Sequence, residues 1–497
     1  MLFLGIDLGS SSVKLAILDG NTGKPIGKAT YPETELDIDS PAAGFAEQDP
    51  SVWWDSARLC LARLCDTLHI DPKSIDAIGI AYQMHGLVAV DKNQHVLRPA
   101  IIWCDSRAID QGNAAMAALS PEYCFDHLLN SPGNFTAAKL RWVQENQPEL
   151  FDKIDKIMLP GDYIAMKLSG QVNTTASGLS EGTLWDFKAQ RAATELLDHW
   201  NIDESILPEI TQNLGEQSTV QAAAAESLGL REGIPITYRA GDQPNNAFSL
   251  NVLEPGQVAA TAGTSGVIYA VSDQLIADKA SRVNTFLHVN STPERSYQGV
   301  LACVNGCGRL YSWLRQTLSQ AGNEHTYQHL NQIAEQVPVG SDGLIFHPFG
   351  NGSERIFPEY NGASQLLGLD FNRHELSHMI RAAQEGIVFA LNRGFEVMKE
   401  LGGHCDLIRV GHGNLFLSDI FAQAFINTTQ TPLEIFDTDG AEGAARGAAL
   451  GAGFYTSEAE AFIGLTRMRS IEPDSDRFDE YQQAYHAWMS AIENVEH

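Results

Sequence analysis

Four stretches of this sequence place oxygen-bearing, cationic or glycine-rich residues where the backbone must turn. The first is Asp7-Leu8-Gly9-Ser10-Ser11-Ser12-Val13-Lys14. A tight turn with three consecutive hydroxyls presents N–H and O–H donors to anionic oxygens. Asp7, at the end of an apolar run, can hold a hydrated Mg²⁺. Lys14 lies two residues past the last serine and can point back at a γ-phosphate. The second is Arg239-Ala240-Gly241-Asp242-Gln243. An Asp there can take the proton of a substrate hydroxyl while that oxygen attacks phosphorus. The third is Gln83-Met84-His85-Gly86, with Asp105 and Arg107 further on. Polar side chains in a loop at a strand end suit a small polyol. The fourth is Gly411-His412-Gly413-Asn414, with Ser418 beyond it, where glycine lets a base or ribose approach the backbone.

Each stretch also has a plain structural reading. These are a polar hairpin, a turn Asp, a core histidine, an internal ion pair and a simple turn. One observation favours phosphate chemistry for the first. The turn Gly263-Thr264-Ser265-Gly266, about half a chain away, repeats its glycine-plus-hydroxyl design. His374-Glu375-Leu376-Ser377-His378 matches a zinc-protease pattern. Here the apolar stripe through Leu376, Ala383, Ile387 and Ala390 leaves His374, His378, Arg381 and Glu385 on a solvated polar face. Arg381 would then repel a metal. No P-loop is present, and no kinase HRD/DFG pair. Gly306-Cys307-Gly308-Arg309 begins a dinucleotide fingerprint, but Tyr311 stands where the third glycine belongs.

The elements that must position these residues read as alternating strands and helices. Runs 2–6 and 13–18 form a hairpin around the serine turn. Runs 256–261 and 267–271 repeat it, which makes the chain two related halves rather than a short-period solenoid. Strands are expected at 75–81, 100–103 and 408–410. Helices are expected at 51–68, 381–401, 443–453 and over the last twenty residues, with loop and helix across 203–230. The alternation defines α/β domains. A connector near 243–255 gives domains 1–249 and 250–497.

The 497 residues carry 33 Lys+Arg against 62 Asp+Glu, a net charge of −29. So acidic a body disfavours nucleic acid and anionic membranes as partners. A phosphorylated ligand must be met at a local site. No apolar run approaches the roughly 18–20 residues that span a bilayer. Asp7 interrupts the apolar N-terminus, which lacks a basic region and does not read as a signal peptide. Seven cysteines without a CxxC pair read as reduced thiols of a cytoplasmic protein.

Taken in order, several motifs resemble the FGGY carbohydrate kinases of the actin-like ATPase superfamily. They are Asp7-x-Gly-Ser-Ser, Glu47-Gln-Asp-Pro-x-x-Trp53-Trp54, Gln83-Met-His-Gly86, Trp103-x-Asp-x-Arg107, Gly241-Asp242, Gly263-Thr-Ser-Gly266, Gly352-x-Glu-Arg355 and the segment Gly368-Leu369 to Leu376 and Ile380. The resemblance covers essentially the whole chain. It implies two actin-like (ribonuclease H-like) α/β ATPase domains around a central cleft, the first binding sugar and the second ATP. Gln-Met-His-Gly with Glu-Gln-Asp-Pro is most similar to the members that act on D-xylulose. The implied reaction is ATP-dependent phosphorylation to D-xylulose 5-phosphate, with Asp242 as general base. Gln83, Met84, His85, Asp105 and Gln243 would serve the sugar. Asp7 would serve Mg²⁺. Ser10, Ser11, Ser12, Lys14, Gly263, Thr264, Gly308, Gly411, Gly413, Asn414 and Ser418 would serve ATP. Another polyol substrate (ribulose, another ketose or gluconate) and a non-catalytic sugar sensor are the alternatives. A homodimer is a family expectation.

Overall fold

The expected opening hairpin forms. Leu2–Leu8 pairs antiparallel with Val13–Asp19, and Asp7 stands opposite Lys14. The structure, a computed structural model, describes residues 1–319, 325–353, 355–357, 360 and 363–493. Glu354 of the Gly352-x-Glu-Arg355 motif and the last four residues of the expected terminal helix lie outside the described residues. The chain forms two compact units that a single cut near residue 250 does not separate. One comprises Met1–Leu253, Thr285–Gly299 and Thr438–Leu465. The other comprises Glu254–Asn284, Val300–Asp437 and the chain from Thr466 onward.

The first unit is built on a six-stranded sheet. Its order is Leu214–Thr219, Pro235–Gly241, Ile75–Tyr82, Leu2–Leu8, Val13–Asp19 and Lys24–Tyr31. The three central strands are parallel, so their C-terminal ends, carrying Asp7, Tyr82 and Gly241, open on one side. Side chains alternate across the sheet. Leu4, Ile6 and Leu8 enter a core with Trp53, Leu61 and Leu64 of the helix Pro50–Leu68. Pro50 opens that helix, and the Asp49 carboxylate caps it by accepting the Ser51 N–H at 2.8 Å. Phe3, Ala77 and Ala81 face the opposite way, onto the alanines of the helix Gly440–Gly451.

That second contact is tight enough to require glycine. A Cβ at Gly5 would stand 1.9 Å from the Ala441 carbonyl oxygen, and one at Gly79 would stand 2.1 Å from that of Ala444. The expected Ala/Gly helix thus spans Gly440–Gly451, and the first unit's sheet is what it packs upon.

The second unit repeats the plan. Gln257–Ala262 pairs antiparallel with Gly266–Ser272 and parallel with Leu407–Gly411, which is parallel to Leu433–Asp437. These strands belong to a seven-stranded sheet with Thr466–Ile471 at one edge. The 25-residue helix Leu376–Glu400 packs on it.

Four local expectations change. Glu375 is the N-cap of that long helix, so His374 lies outside it and shares no helix face with His378. Both imidazoles instead bond to Asp342, at its carbonyl and its carboxylate. Arg381 and Glu385 are not solvated: they are 5% and 2% exposed. They form a buried ion pair at 2.6 Å, with Tyr481 of the helix Phe478–Glu493 against the guanidinium. The strand at 100–103 is only Ala100–Ile101, which releases Trp103 into a turn. The stretch 203–230 contains the strands Glu209–Thr211 and Leu214–Thr219, not only loop and helix. Leu214–Thr219 lacks apolar side chains beyond Leu214 and gets its conformation from pairing with Pro235–Gly241.

None of the seven cysteines is disulfide-bonded. Among the described residues, no helix is long and apolar enough to cross a membrane.

Candidate active site

The serine turn is held from both flanks. Gly9 N–H donates to the Ser12 carbonyl at 3.0 Å, closing the loop between paired Leu8 and Val13. The Gln48 amide donates to the Ser10 carbonyl at 2.7 Å and accepts from Trp53 Nε1 at 3.0 Å. Gln83, whose own amide donates to Gln48 at 3.3 Å, hangs its backbone N–H on the Leu8 carbonyl. Gln48 therefore links the phosphate-type turn to the Gln83 loop. In the sequence Gln48 stands only as one member of the Glu47-Gln-Asp-Pro motif. Its role was invisible because nothing in the spacing pairs residue 48 with residues 10 and 83.

One pocket of ≈ 260 Å³ gathers Asp7, Gly9, Ser10, Ser11, Ser12, Lys14, Gln83, Trp103 and Asp242. Two sequence stretches more than 200 residues apart thus meet at the strand ends of the first unit. Trp103 is 49% exposed and donates Nε1–H to Ser10 Oγ at 3.3 Å. Gln83 Oε1 is buried with no hydrogen-bond partner among the described residues, an acceptor suited to a hydroxyl.

The electrostatics are dominated by carboxylates. Burial, with neighbouring Asp7 adding to the shift and hydrogen bonds to Gln243 opposing it, raises the Asp242 carboxyl to about 7. Burial also raises Asp7, with Lys14 opposing and Asp439 adding to the shift. Both shifts follow from bringing like charges together in a recess. Gly440 permits this approach, because a Cβ there would lie 2.6 Å from Asp7 Oδ2.

Among the described residues no three His, Cys, Asp or Glu side chains converge to hold an ion by themselves. Crowded carboxylates beside hydroxyls still fit Mg²⁺, which typically keeps waters and binds through one or two carboxylates plus substrate phosphates.

The sugar-side candidates separate into groups. Gln83 lines the pocket. Met84 is buried, and its side chain packs on Gly241, where a Cβ would be 2.6 Å from Met84 Cγ. His85 has a left-handed backbone, φ 61°, and its Nδ1 bonds the Glu181 carbonyl at 2.8 Å. Its ring packs in a cluster with Phe135 and Phe286, whose centroids are 4.8 and 5.3 Å from it. Gln243 follows Asp242 on the helix Asp242–Ser249 and is half-buried.

Asp105 is not brought into the pocket. It is fully buried, accepts the Ala46 N–H at 2.6 Å and pairs with Arg107 at 2.7 Å. Arg107 in turn meets Glu47 at 2.6 Å and lies over the Phe45 ring. This cluster supports the Trp103 turn from behind.

Most of the second unit's candidates also gather. Gly308 N–H donates to the Gly263 carbonyl at 2.7 Å, and a Cβ on Gly308 would be 2.4 Å from that oxygen. The Asn414 amide lies 3.5 Å from where a Gly263 Cβ would be, with Asn414 at φ 54°. Thr264 is exposed at the turn. Gly411 ends the strand Leu407–Gly411, and Gly413 has open space where a side chain would be. Ser418 does not join them. It is buried, donates to Gln384 at 2.8 Å and caps the helix Asp419–Thr429. A serine just before a helix start is a capping signal, and that local role prevails here.

Two α/β units of one plan, one with a carboxylate–hydroxyl–lysine pocket and the other with a glycine turn, define a phosphotransferase architecture. Residues 2–249 match the model of the FGGY family of carbohydrate kinases, N-terminal domain, and residues 258–455 match that of its C-terminal domain. The chain belongs to the FGGY family of carbohydrate kinases and is an ATP-dependent sugar kinase. It is 29% identical to the xylulose kinase of Bacillus subtilis (strain 168) across 97% of this chain and 96% of the relative. It is 28% identical to that of Escherichia coli (strain K12), with 97% and 96% covered. The crystal structure of xylulose kinase from Rhodospirillum rubrum aligns at TM-score 0.88 and 25% identity over 100% of this chain and 99% of that one. Gluconate kinase from Lactobacillus acidophilus shares the fold at TM-score 0.87 and 23% identity, covering 100% and 98%.

Proposed function

We propose that the enzyme phosphorylates D-xylulose to D-xylulose 5-phosphate, with Asp242 as the general base. The observation that carries the proposal is the single pocket holding Asp242, the serine turn, Lys14 and the unpartnered Gln83 acceptor. The names of its nearly full-length relatives point to the same ketose.

The chemistry follows from the parts. Gln83 and the exposed Trp103 ring bind the neutral sugar. Asp242 accepts the proton of the attacking hydroxyl. That oxygen forms the new bond to the γ-phosphorus as the bond to the β-phosphate oxygen breaks and ADP leaves. N–H and O–H groups of the Ser10–Ser12 turn and the Lys14 ammonium meet the charge on the transferring group. Asp7 would hold Mg²⁺, which when bound neutralises phosphate charge. Gly263, Thr264, Gly308, Gly411, Gly413 and Asn414 form the ATP side of the proposal. Such an ATP-consuming enzyme would work in the cytoplasm.

The test is ADP release with Mg²⁺-ATP on D-xylulose, D-ribulose, L-ribulose, L-xylulose, glycerol and gluconate, with a no-sugar blank. D-xylulose should exceed every other sugar in kcat/KM. Preference for gluconate or another polyol would keep the kinase and overturn the substrate. Silence from folded protein would mean a sugar outside this panel, or the sensor reading.

A further inference from the structure

Two loops of the pocket, 83–86 and 102–107, leave from a common root. Leu87 and Ile101 exchange backbone hydrogen bonds of 2.9 and 3.1 Å. Beyond that bridge the backbones part, and a buried lysine occupies the gap. Lys139 Nζ donates to the His85 carbonyl at 2.8 Å and to the Ile102 carbonyl at 2.9 Å. These are carbonyls one or two residues out from the bridge on each loop. Lys139 sits in the first turn of the helix Thr136–Asn146 and is 0% exposed.

Its neighbours reach the same loops. Thr136 Oγ1 donates to the Gly86 carbonyl at 3.3 Å. The Asn134 amide donates to the Asp105 carbonyl and accepts the Ala108 N–H at 3.2 Å. One short segment thus holds four carbonyls on two loops, and no other group in it is a cation.

We infer that Lys139 is a positioning residue, clamping the Gln83–His85 loop to the Trp103 turn so that both present their side chains to the sugar at a fixed separation. The inference rests on the proposal that the sugar binds between Gln83 and Trp103. An uncompensated buried ammonium is costly, so a lysine at this place needs both acceptors. A leucine or methionine would fill the same volume without linking the loops. Burial lowers the ammonium to about 7, with Asp105 opposing. The neutral amine still carries two N–H donors for two carbonyls, so the clamp does not depend on its charge.

The experiment compares Lys139→Met with the wild-type enzyme in steady-state kinetics on D-xylulose and on ATP. The sugar KM should rise at least tenfold while the ATP KM moves less than threefold. General loosening of the fold would raise both. In parallel, hydrogen exchange of the wild-type protein with saturating D-xylulose should slow the amides of both loops together, which needs no variant to fold. Protection of one loop alone, or an unchanged sugar KM in Lys139→Met beside an active wild-type enzyme, overturns the clamp. A wild-type enzyme silent on every sugar overturns the sugar reading itself, and this inference with it.

Discussion

At the residue scale the pocket turns on Asp242. Its carboxyl is raised to about 7 by burial and by Asp7, so at neutral pH about half of the free enzyme would carry the proposed base in its ionised form. kcat/KM for the sugar should therefore fall as pH drops through about 7 and level off above it. A profile flat from pH 5.5 to 8.5 would remove Asp242 from the role. Asp242→Asn keeps the shape and removes the base. Turnover should fall by about 10²–10⁴-fold with sugar KM little changed. The same change should stabilise the protein, with a definite sign. A folded-state value above the unfolded one means that the folded chain holds the proton more tightly. Wild-type stability is then eroded as pH climbs from the ordinary carboxyl value through about 7. The asparagine variant escapes that loss. Its advantage should be absent near pH 4 and reach about 1–3 kcal/mol at pH 8, read from melting curves. The proposed base stands beside another carboxylate, and its removal would then trade activity for stability.

At the element scale the informative contact is between the helix Gly440–Gly451 and the strands Leu2–Leu8 and Ile75–Tyr82. Backbone oxygens of the helix lie where side chains at Gly5 and Gly79 would be. No rotamer relieves a clash with backbone. Gly5→Ala should cost about 3 kcal/mol or more in urea unfolding, the upper end of overpacking. Gly413→Ala, with extended backbone and open space, should leave stability within about 0.5 kcal/mol yet raise the ATP KM, because its site is on the ATP side of the proposal. Equal losses at both positions would mean that the close approach at Gly5 is not real. This contact also marks what the sequence could and could not say. Both hairpins, the long helix and the Ala/Gly helix were legible because periodicity and turn residues are local signals. The partner of Gly5 was not, because it lies more than 400 residues away and no pattern pairs them. Asp7, the serines, Lys14, Gln83 and Asp242, singled out by residue type and strand-end position, do lie together in one pocket. Asp105 and Ser418 lie apart from the groups they were expected to join, for one reason. A sequence shows that a polar group is present but not which way it points, and here one is paired with Arg107 while the other caps a helix. Lys139, proposed above as a clamp, carries no spacing signal, being a lone lysine inside a helix.

At the scale of the whole molecule the excess of acid matters. With 62 acidic against 33 basic side chains, one-to-one pairing of charges would leave 29 carboxylates unmatched. Surface pairs are each worth about 0–1 kcal/mol, whereas the repulsion of 29 unmatched charges acts over a Debye length of about 30 Å at 10 mM salt and about 8 Å at 150 mM. Raising NaCl across that range should therefore raise the melting temperature by a few degrees; a fall would show that the ion pairs outweigh the repulsion. Catalysis should sense the same field selectively. ATP is an anion approaching an anionic body, and the proposed sugar is neutral. Screening should raise kcat/KM for ATP severalfold while leaving that for the sugar within a factor of two. Potassium and choline chloride should act alike, because ionic strength and not a specific cation is responsible. If sugar and nucleotide respond equally, the effect lies in the fold's stability and not in the approach of ATP. If ATP is slowed by salt, the Lys14 end of the pocket governs capture more than the molecule's net charge does.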